Sequence, residues 1–200
     1  MKYYQEISLL RDAKIGLYDF WQKLYPQIHL ALVENKCGDH DSAIGVTFPE
    51  YDADELSLGT RLRIFAETKQ ELELLKLEKW LNRLTEYVQL GLVLHVPEQV
   101  SWYACFKQVK PKGSKEKLAR RRSKRTGETF QQALVYYESY TEERSSLPYI
   151  NIHSETNGHR FRLFIEQKLV KKEQIGLFSC YGLSNKITVP IFKPFFSSKY

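Results

Sequence analysis

The sequence predicts an α+β protein: a ferredoxin-like βαββαβ domain over 1–97, then a smaller α+β domain over 98–200 with an arginine-rich helix. Three observations predict it. The first half interleaves two stretches of helical apolar spacing with four alternating ones, Pro97 follows the last of them, and a short segment beyond it concentrates positive charge.

Tyr3 to Leu10 sets aromatic and aliphatic side chains among polar ones and opens the pattern as a strand. Leu17, Trp21, Leu24 and Ile28 recur at three or four residues along one helical face. Pro26 falls inside that helix, removes one backbone hydrogen bond and is expected to kink it. Ile44, Val46 and Phe48 alternate and stop at Pro49, and Leu62, Ile64 and Ala66 alternate likewise. Thr68 and Glu71 have the spacing of a capping box, each able to satisfy an amide at a helix start. One helix is expected beyond it, with Leu74, Leu77, Leu81 and Leu84 on one side. Val88, Leu90, Leu92, Leu94 and Val96 then alternate without a break.

In the second half, Trp102 to Val109 reads as a strand. Ser114 is placed to cap a helix over Lys115 to Arg125, and Gly127 to end it. A further helix is expected around Phe130 to Tyr140 and a strand over Tyr149 to Ser154. Asn157-Gly158 signals a hairpin turn into Arg160 to Ile165, and strands near Leu177 to Tyr181 and Ile187 to Phe192 complete the domain.

Composition limits the function. No apolar run approaches the roughly 18 residues of a membrane span, and the N-terminus reads as a strand, not a signal peptide. Cys37, Cys105 and Cys180 are odd in number and far apart, which suits a reducing, cytoplasmic setting without disulfides. The net charge of +6 is unevenly spread: residues 107 to 125 hold ten Lys or Arg and one Glu, leaving 20 basic and 23 acidic residues elsewhere. Such a focused charge favours polyanions. On a helix, Lys117, Arg121, Lys124 and Arg125 share one face with Arg120 at its edge, while Leu118 and Ala119 can dock the helix. A basic helix suits the DNA major groove, or the RNA major groove where a helix end or loop opens it; charge alone does not choose between them.

Five strings occur in order: IGVTFPEYD, LGTRLRIFA, LARRRSKR, LPYINIHSETNGHRFRLFI and FSCYGLSNKITVPIF. Together they resemble the CRISPR repeat-processing endoribonuclease family of type I-F systems, over nearly the whole chain up to Phe192. The resemblance implies binding of the stem-loop in CRISPR repeat transcripts and cleavage on its 3′ side. The chemistry implied is attack of a 2′-hydroxyl on its phosphate, giving a 2′,3′-cyclic phosphate and a 5′-hydroxyl without metal or other cofactor. It also implies a protein that is monomeric when free, then stays on the mature crRNA and joins other effector-complex subunits. His29, in IHLALVEN, matches the family's catalytic base, Ser154 the residue that fixes the ribose, and Tyr181 the residue that orients the histidine. Phe161 matches an aromatic that stacks on the base pair beside the cut, and Arg121 a basic residue that reads a base there. The chain departs from the family in having Gln108 and Lys110 where an Arg and a Gln stand before the basic helix, and Lys124 in place of an Arg. KPFFSSKY extends beyond the family's usual end.

Apart from that resemblance, each residue has an ordinary reading. His29 lies beside an apolar stripe, Ser154 at a strand end near a turn, Phe161 within a strand and Tyr181 in the core. Three rival functions follow. A non-catalytic hairpin-binding subunit would share the basic helix and Phe161, and a DNA-binding regulator would use the same helix on duplex DNA. A metal-dependent nuclease would need Asp39, Asp41, Asp52, Asp54 and Glu55 to converge, whereas they read as solvated acidic loops.

Overall fold

The computed structural model describes residues 1–10, 14–111, 113–140, 146–153 and 158–192. Its elements are β1 (Tyr3–Leu9), α1 (Leu17–Glu34), β2 (Asp41–Ser42), β3 (Gly45–Thr47), β4 (Arg61–Ala66), α2 (Lys69–Leu74), α3 (Leu77–Leu81) and β5 (Val88–His95). There follow β6 (Trp102–Val109), α4 (Lys115–Thr126), α5 (Phe130–Tyr136), β7 (Tyr149–His153), β8 (Arg160–Val170), β9 (Phe178–Ser179) and β10 (Val189–Ile191).

The first sheet has the order β3-β4-β1-β5, antiparallel throughout, with β1 paired to β4 through Tyr3↔Ala66 and to β5 through Tyr3↔His95. With helices between its first and second and its third and fourth strands, it is a ferredoxin-like sheet. A second antiparallel sheet has the order β10-β6-β8-β7, and β2 pairs with β9 in a short ribbon.

Backbone contacts group Met1–Val109 with the chain from Leu147 onward, and set Lys110–Ser146 apart as a second compact unit. The packing therefore does not divide at Pro97. Ile7, Leu24, Ile28, Leu62 and Ile64 share one buried cluster with Ala104, Phe106, Ile150, Leu163 and Ile165, so both sheets close over the same core. The two sheets meet where β3 touches β6 and β10, and through α1, which packs against β7.

Two local expectations change, in the helix after the capping box and along β5. Helix α1 runs unbroken from Leu17 to Glu34 through Pro26, with Trp21, Leu24, Tyr25 and Ile28 on its buried side. The single helix expected after the Thr68–Glu71 capping box is two, α2 and α3, separated at Lys76 in the left-handed conformation (φ 48°). That break turns Leu72, Leu75, Leu77 and Leu81 inward and leaves Leu74 60% exposed. The unbroken alternation expected along β5 is interrupted as well. Its register with β1 slips between Gln5↔Val93 and Ile7↔Leu90, so three residues of β5 span two of β1. This is a bulge, and it reverses the side-chain alternation beyond it. Val93 and Val96 pack against the core, while Leu92 is 80% exposed. Gly91 sits at the bulge, where a Cβ would lie 3.1 Å from the Glu6 carbonyl oxygen and the Gln5 amide donates to the Gly91 carbonyl at 2.9 Å.

Arg63 of β4 points to the face opposite Leu62 and Ile64 and is only 2% exposed. Its Nε donates to Glu6 at 2.6 Å and its Nη1 to the Phe192 carbonyl at 2.7 Å, and its guanidinium lies 4.4 Å from the Phe192 ring. A buried charge so fully partnered is costly to disrupt from one side. Arg63→Ala should lower unfolding free energy by about 3 kcal/mol, the lower end of the usual range because Glu6 keeps Arg61. Urea unfolding measures this, and a loss under about 1 kcal/mol would show the pair to be dispensable.

Candidate active site

His29 lies on α1 one turn after Tyr25, and both side chains reach the turn that follows β9. The Tyr25 hydroxyl donates to the Tyr181 carbonyl at 2.8 Å. His29 Nδ1 lies 2.9 Å from the Cys180 carbonyl oxygen, and its ring stacks on Tyr181 with centroids 4.0 Å apart and planes at 4°. The turn itself is held from several sides. Cys180 N–H donates to the His40 carbonyl at 3.0 Å, Gly182 N–H to Ser179 at 2.7 Å, and Val46 N–H to the Gly182 carbonyl at 3.0 Å. Gly182 has φ +69°, and a Cβ there would fall 2.6 Å from Val46 Cγ1, so both conformation and space demand glycine.

This geometry decides the proton on the imidazole. A carbonyl oxygen only accepts, so Nδ1 must carry the hydrogen and the neutral ring presents its lone pair at Nε2. Burial holds the His29 pKa below its ordinary value of 6.5, outweighing the Cys180 carbonyl bond, which acts the other way. Near neutral pH the ring is therefore an uncharged base of fixed tautomer. Burial moves the Tyr181 phenol in the opposite sense, above its usual value, so it stays protonated beside the histidine.

The other expected residues fall as follows. Ser154 lies outside the described residues, as do Asn157 of the expected hairpin turn and the terminal KPFFSSKY. Phe161 is on β8 opposite Ile152, partly buried against the core, and lines a cleft beside β7. Gln108 is half-buried near the end of β6, paired with Ile165. Among the described residues no three His, Cys, Asp or Glu side chains converge on a metal-sized site. Asp52 Oδ1 instead accepts from the amides of Asp54 and Glu55 at 2.9 and 3.1 Å, which fixes that loop.

The second compact unit holds the basic helix. The Ser114 hydroxyl accepts from Lys117 N–H at 3.3 Å, and Gly127 (φ 77°) donates its N–H to the Ser123 carbonyl at 3.0 Å, as the sequence predicts. Lys110 is exposed in the same unit, as are Lys117, Arg120, Arg121, Lys124 and Arg125 on α4. Ala119 of α4 and Ala133 of α5 are fully buried, and Leu118 is half-buried. Arg122 belongs to the scaffold: it grips Glu128 with two bonds of 2.8 and 2.9 Å and lies 3.7 Å from the centre of the Tyr136 ring. Composition could not separate this arginine from its neighbours, because its partner stands beyond the helix end.

The family model described as CRISPR-associated protein (Cas_Csy4) matches residues 4–192. Two relatives, from Escherichia coli (strain UTI89 / UPEC) and Pseudomonas aeruginosa (strain UCBPP-PA14), are each named CRISPR-associated endonuclease Cas6/Csy4. Each is 33% identical over 193 residues, which cover 96% of this chain and 100% of the relative. A solved structure described as "An RAMP protein binding different RNA substrates" is 11% identical, with a TM-score of 0.38 over 96% of this chain and 100% of that one, too loose to bear on the site.

The His29 assignment has a direct check. Ring-nitrogen NMR should show an Nδ1-protonated neutral imidazole titrating below pH 6.5. Because the unfolded chain binds this proton nearer 6.5, native stability from His29 is complete above that pH and is lost as pH falls through the lower folded value. A titration at or above 6.5 would defeat the burial argument.

Proposed function

The chain belongs to the CRISPR-associated Cas_Csy4 family, and on that footing we propose that it is a metal-independent endoribonuclease that binds the hairpin of CRISPR repeat transcripts and cuts at its 3′ side. The observation that carries this reading is the His29 imidazole, held by the Cys180 carbonyl and the Tyr181 ring so that Nε2 is the basic nitrogen. Nε2 takes the proton of a ribose 2′-hydroxyl. The freed oxygen attacks the adjacent phosphorus and the 5′-oxygen of the next nucleotide leaves, giving a 2′,3′-cyclic phosphate and a 5′-hydroxyl. The nucleophile belongs to the substrate and the base is an imidazole that burial keeps uncharged near neutral pH, so no metal-generated hydroxide is required. Tyr181 acts by orienting the ring, and Ser154 is assigned to the ribose, which it would hold in line for attack.

Residues 98–200 supply the grip. Lys117, Arg120, Arg121, Lys124 and Arg125 would meet the hairpin phosphates, with Arg121 also reading a base at the cut. Gln108 and Lys110 would hydrogen-bond bases, and Phe161 would stack on the base pair beside the cut. The setting is cytoplasmic, where repeat transcripts are made; no helix among the described residues is long and apolar enough to cross a membrane. After cleavage the protein stays on the crRNA as a subunit of the effector complex.

Wild-type protein should cleave a hairpin-containing repeat RNA in EDTA, while His29→Ala and a substrate with 2′-deoxyribose at the cut should each reduce cleavage at least about a hundredfold. Tight binding without cleavage by the wild type would instead support a non-catalytic hairpin-binding subunit. Arg121→Ala with Arg125→Ala should weaken hairpin binding and flatten its dependence on salt, by about 0.9 in logarithmic slope for each phosphate no longer neutralised. Unchanged affinity would remove α4 from the interface.

A further inference from the structure

One face of the first sheet is only half covered. Tyr4 of β1 stands opposite Phe65 of β4 and Leu94 of β5, so these side chains share the face turned away from Ile7, Leu62 and Ile64. Leu92, two residues before Leu94 on β5, points the same way. Phe192 covers the inner half: its ring centre lies 5.1 Å from that of Tyr4 and 6.1 Å from that of Phe65, and Tyr4, Arg63 and Phe65 are buried. The outer half is bare. Leu94 is 47% and Leu92 80% exposed, on a strand at the sheet edge.

The chain crosses this face in a defined direction. Pro190 lines a cleft with His95, which stands opposite Tyr3. Phe192 packs at the level of Tyr4, and its carbonyl accepts from Arg63, the partner of Glu6. Each step lies further along β1, so the chain leaves Phe192 beside Glu6, which the bulge sets opposite Gly91 and Leu92. Strands in a sheet are about 4.8 Å apart and an extended chain advances about 3.3 Å per residue, so about three residues span the roughly 10 Å from β4 to β5. The sequence after Phe192 runs Lys193, Pro194, Phe195 and Phe196, which brings aromatic side chains to that distance. Residues 193–200 lie outside the described residues and beyond the family match, which ends at 192, so they are an addition to the common fold. Another exposed apolar spot, Ile175 and Leu177, does not compete for them, because Ile175 lines the Pro190 cleft, behind the direction of travel.

We propose that the segment after Phe192 continues across to β5, where the Phe195–Phe196 pair covers Leu92 and Leu94. Its role is protective. An edge strand with two bare leucines invites association with another chain, and tethered aromatic rings remove that surface without a partner. Attachment at Phe192 selects this occupant, since it presents the rings at high effective concentration. The assignment stands apart from the ribonuclease reading and involves neither His29 nor α4.

The test is the rate at which chymotrypsin clips the full chain after Phe195 or Phe196, read by mass spectrometry. Wild type should be clipped about tenfold more slowly than Leu92→Asp with Leu94→Asp, which leaves the rings nothing apolar to rest on. Leu92→Met with Leu94→Met should keep most of the protection, separating a lost contact from a damaged strand. Leucine-methyl NMR of the wild type should show cross-peaks from Leu92 and Leu94 to phenylalanine ring protons that vanish in Phe195→Ser with Phe196→Ser. Equal clipping of wild type and the aspartate pair overturns the proposal. So does protection that rises with protein concentration, since a second copy would then be what covers the leucines.

Discussion

One backbone carbonyl governs which nitrogen of His29 is basic. The Cys180 oxygen can only accept, so it fixes the hydrogen of His29 on Nδ1 and leaves Nε2 free. Much of the surrounding architecture keeps that oxygen in place. The β2–β9 ribbon sets Cys180 beside His40, Gly182 closes the turn behind it, and Tyr25 binds the next carbonyl from the same helix that carries the imidazole. Two segments more than a hundred residues apart thus meet at a 2.9 Å contact, and the shared core of both sheets is what brings them there.

The ferredoxin-like half was legible because its elements are long enough for periodicity to count, and because Thr68 with Glu71 marks a helix start chemically. Legibility failed where one residue shifts the phase. The bulge at Gly91 turns Leu92 outward although the apolar alternation runs straight through it, since a period of two carries no mark of an inserted residue. Lys76 breaks a helix that leucine spacing alone would continue, whereas α1 continues through Pro26, whose opposite side is buried.

The site was legible in a different way. His29 and Tyr181 were named through family resemblance, and their rings lie stacked in the fold. No side-chain pattern announces Cys180, whose contribution is its carbonyl, or Tyr25, whose hydroxyl was hidden within an apolar stripe. Charge counting found the basic helix but could not tell that Arg122 is already engaged by Glu128 and Tyr136.

The sparse interior of the second compact unit has an energetic consequence. Among its described residues only Ala119 and Ala133 are fully buried, and alanine contributes little apolar area. Such a unit has a low free energy of local opening compared with the two-sheet core beside it in sequence. Its fixed bonds, the caps on α4 and the Arg122–Glu128 fork, shape the helix without supplying cohesion on the scale of a hydrophobic core. A polyanion that neutralises the exposed face of α4 therefore does more than dock. It relieves repulsion among like charges, and part of the attraction is consumed in suppressing openings of the free protein, so affinity is smaller than the number of cations would indicate and folding of this unit is thermodynamically linked to its ligand.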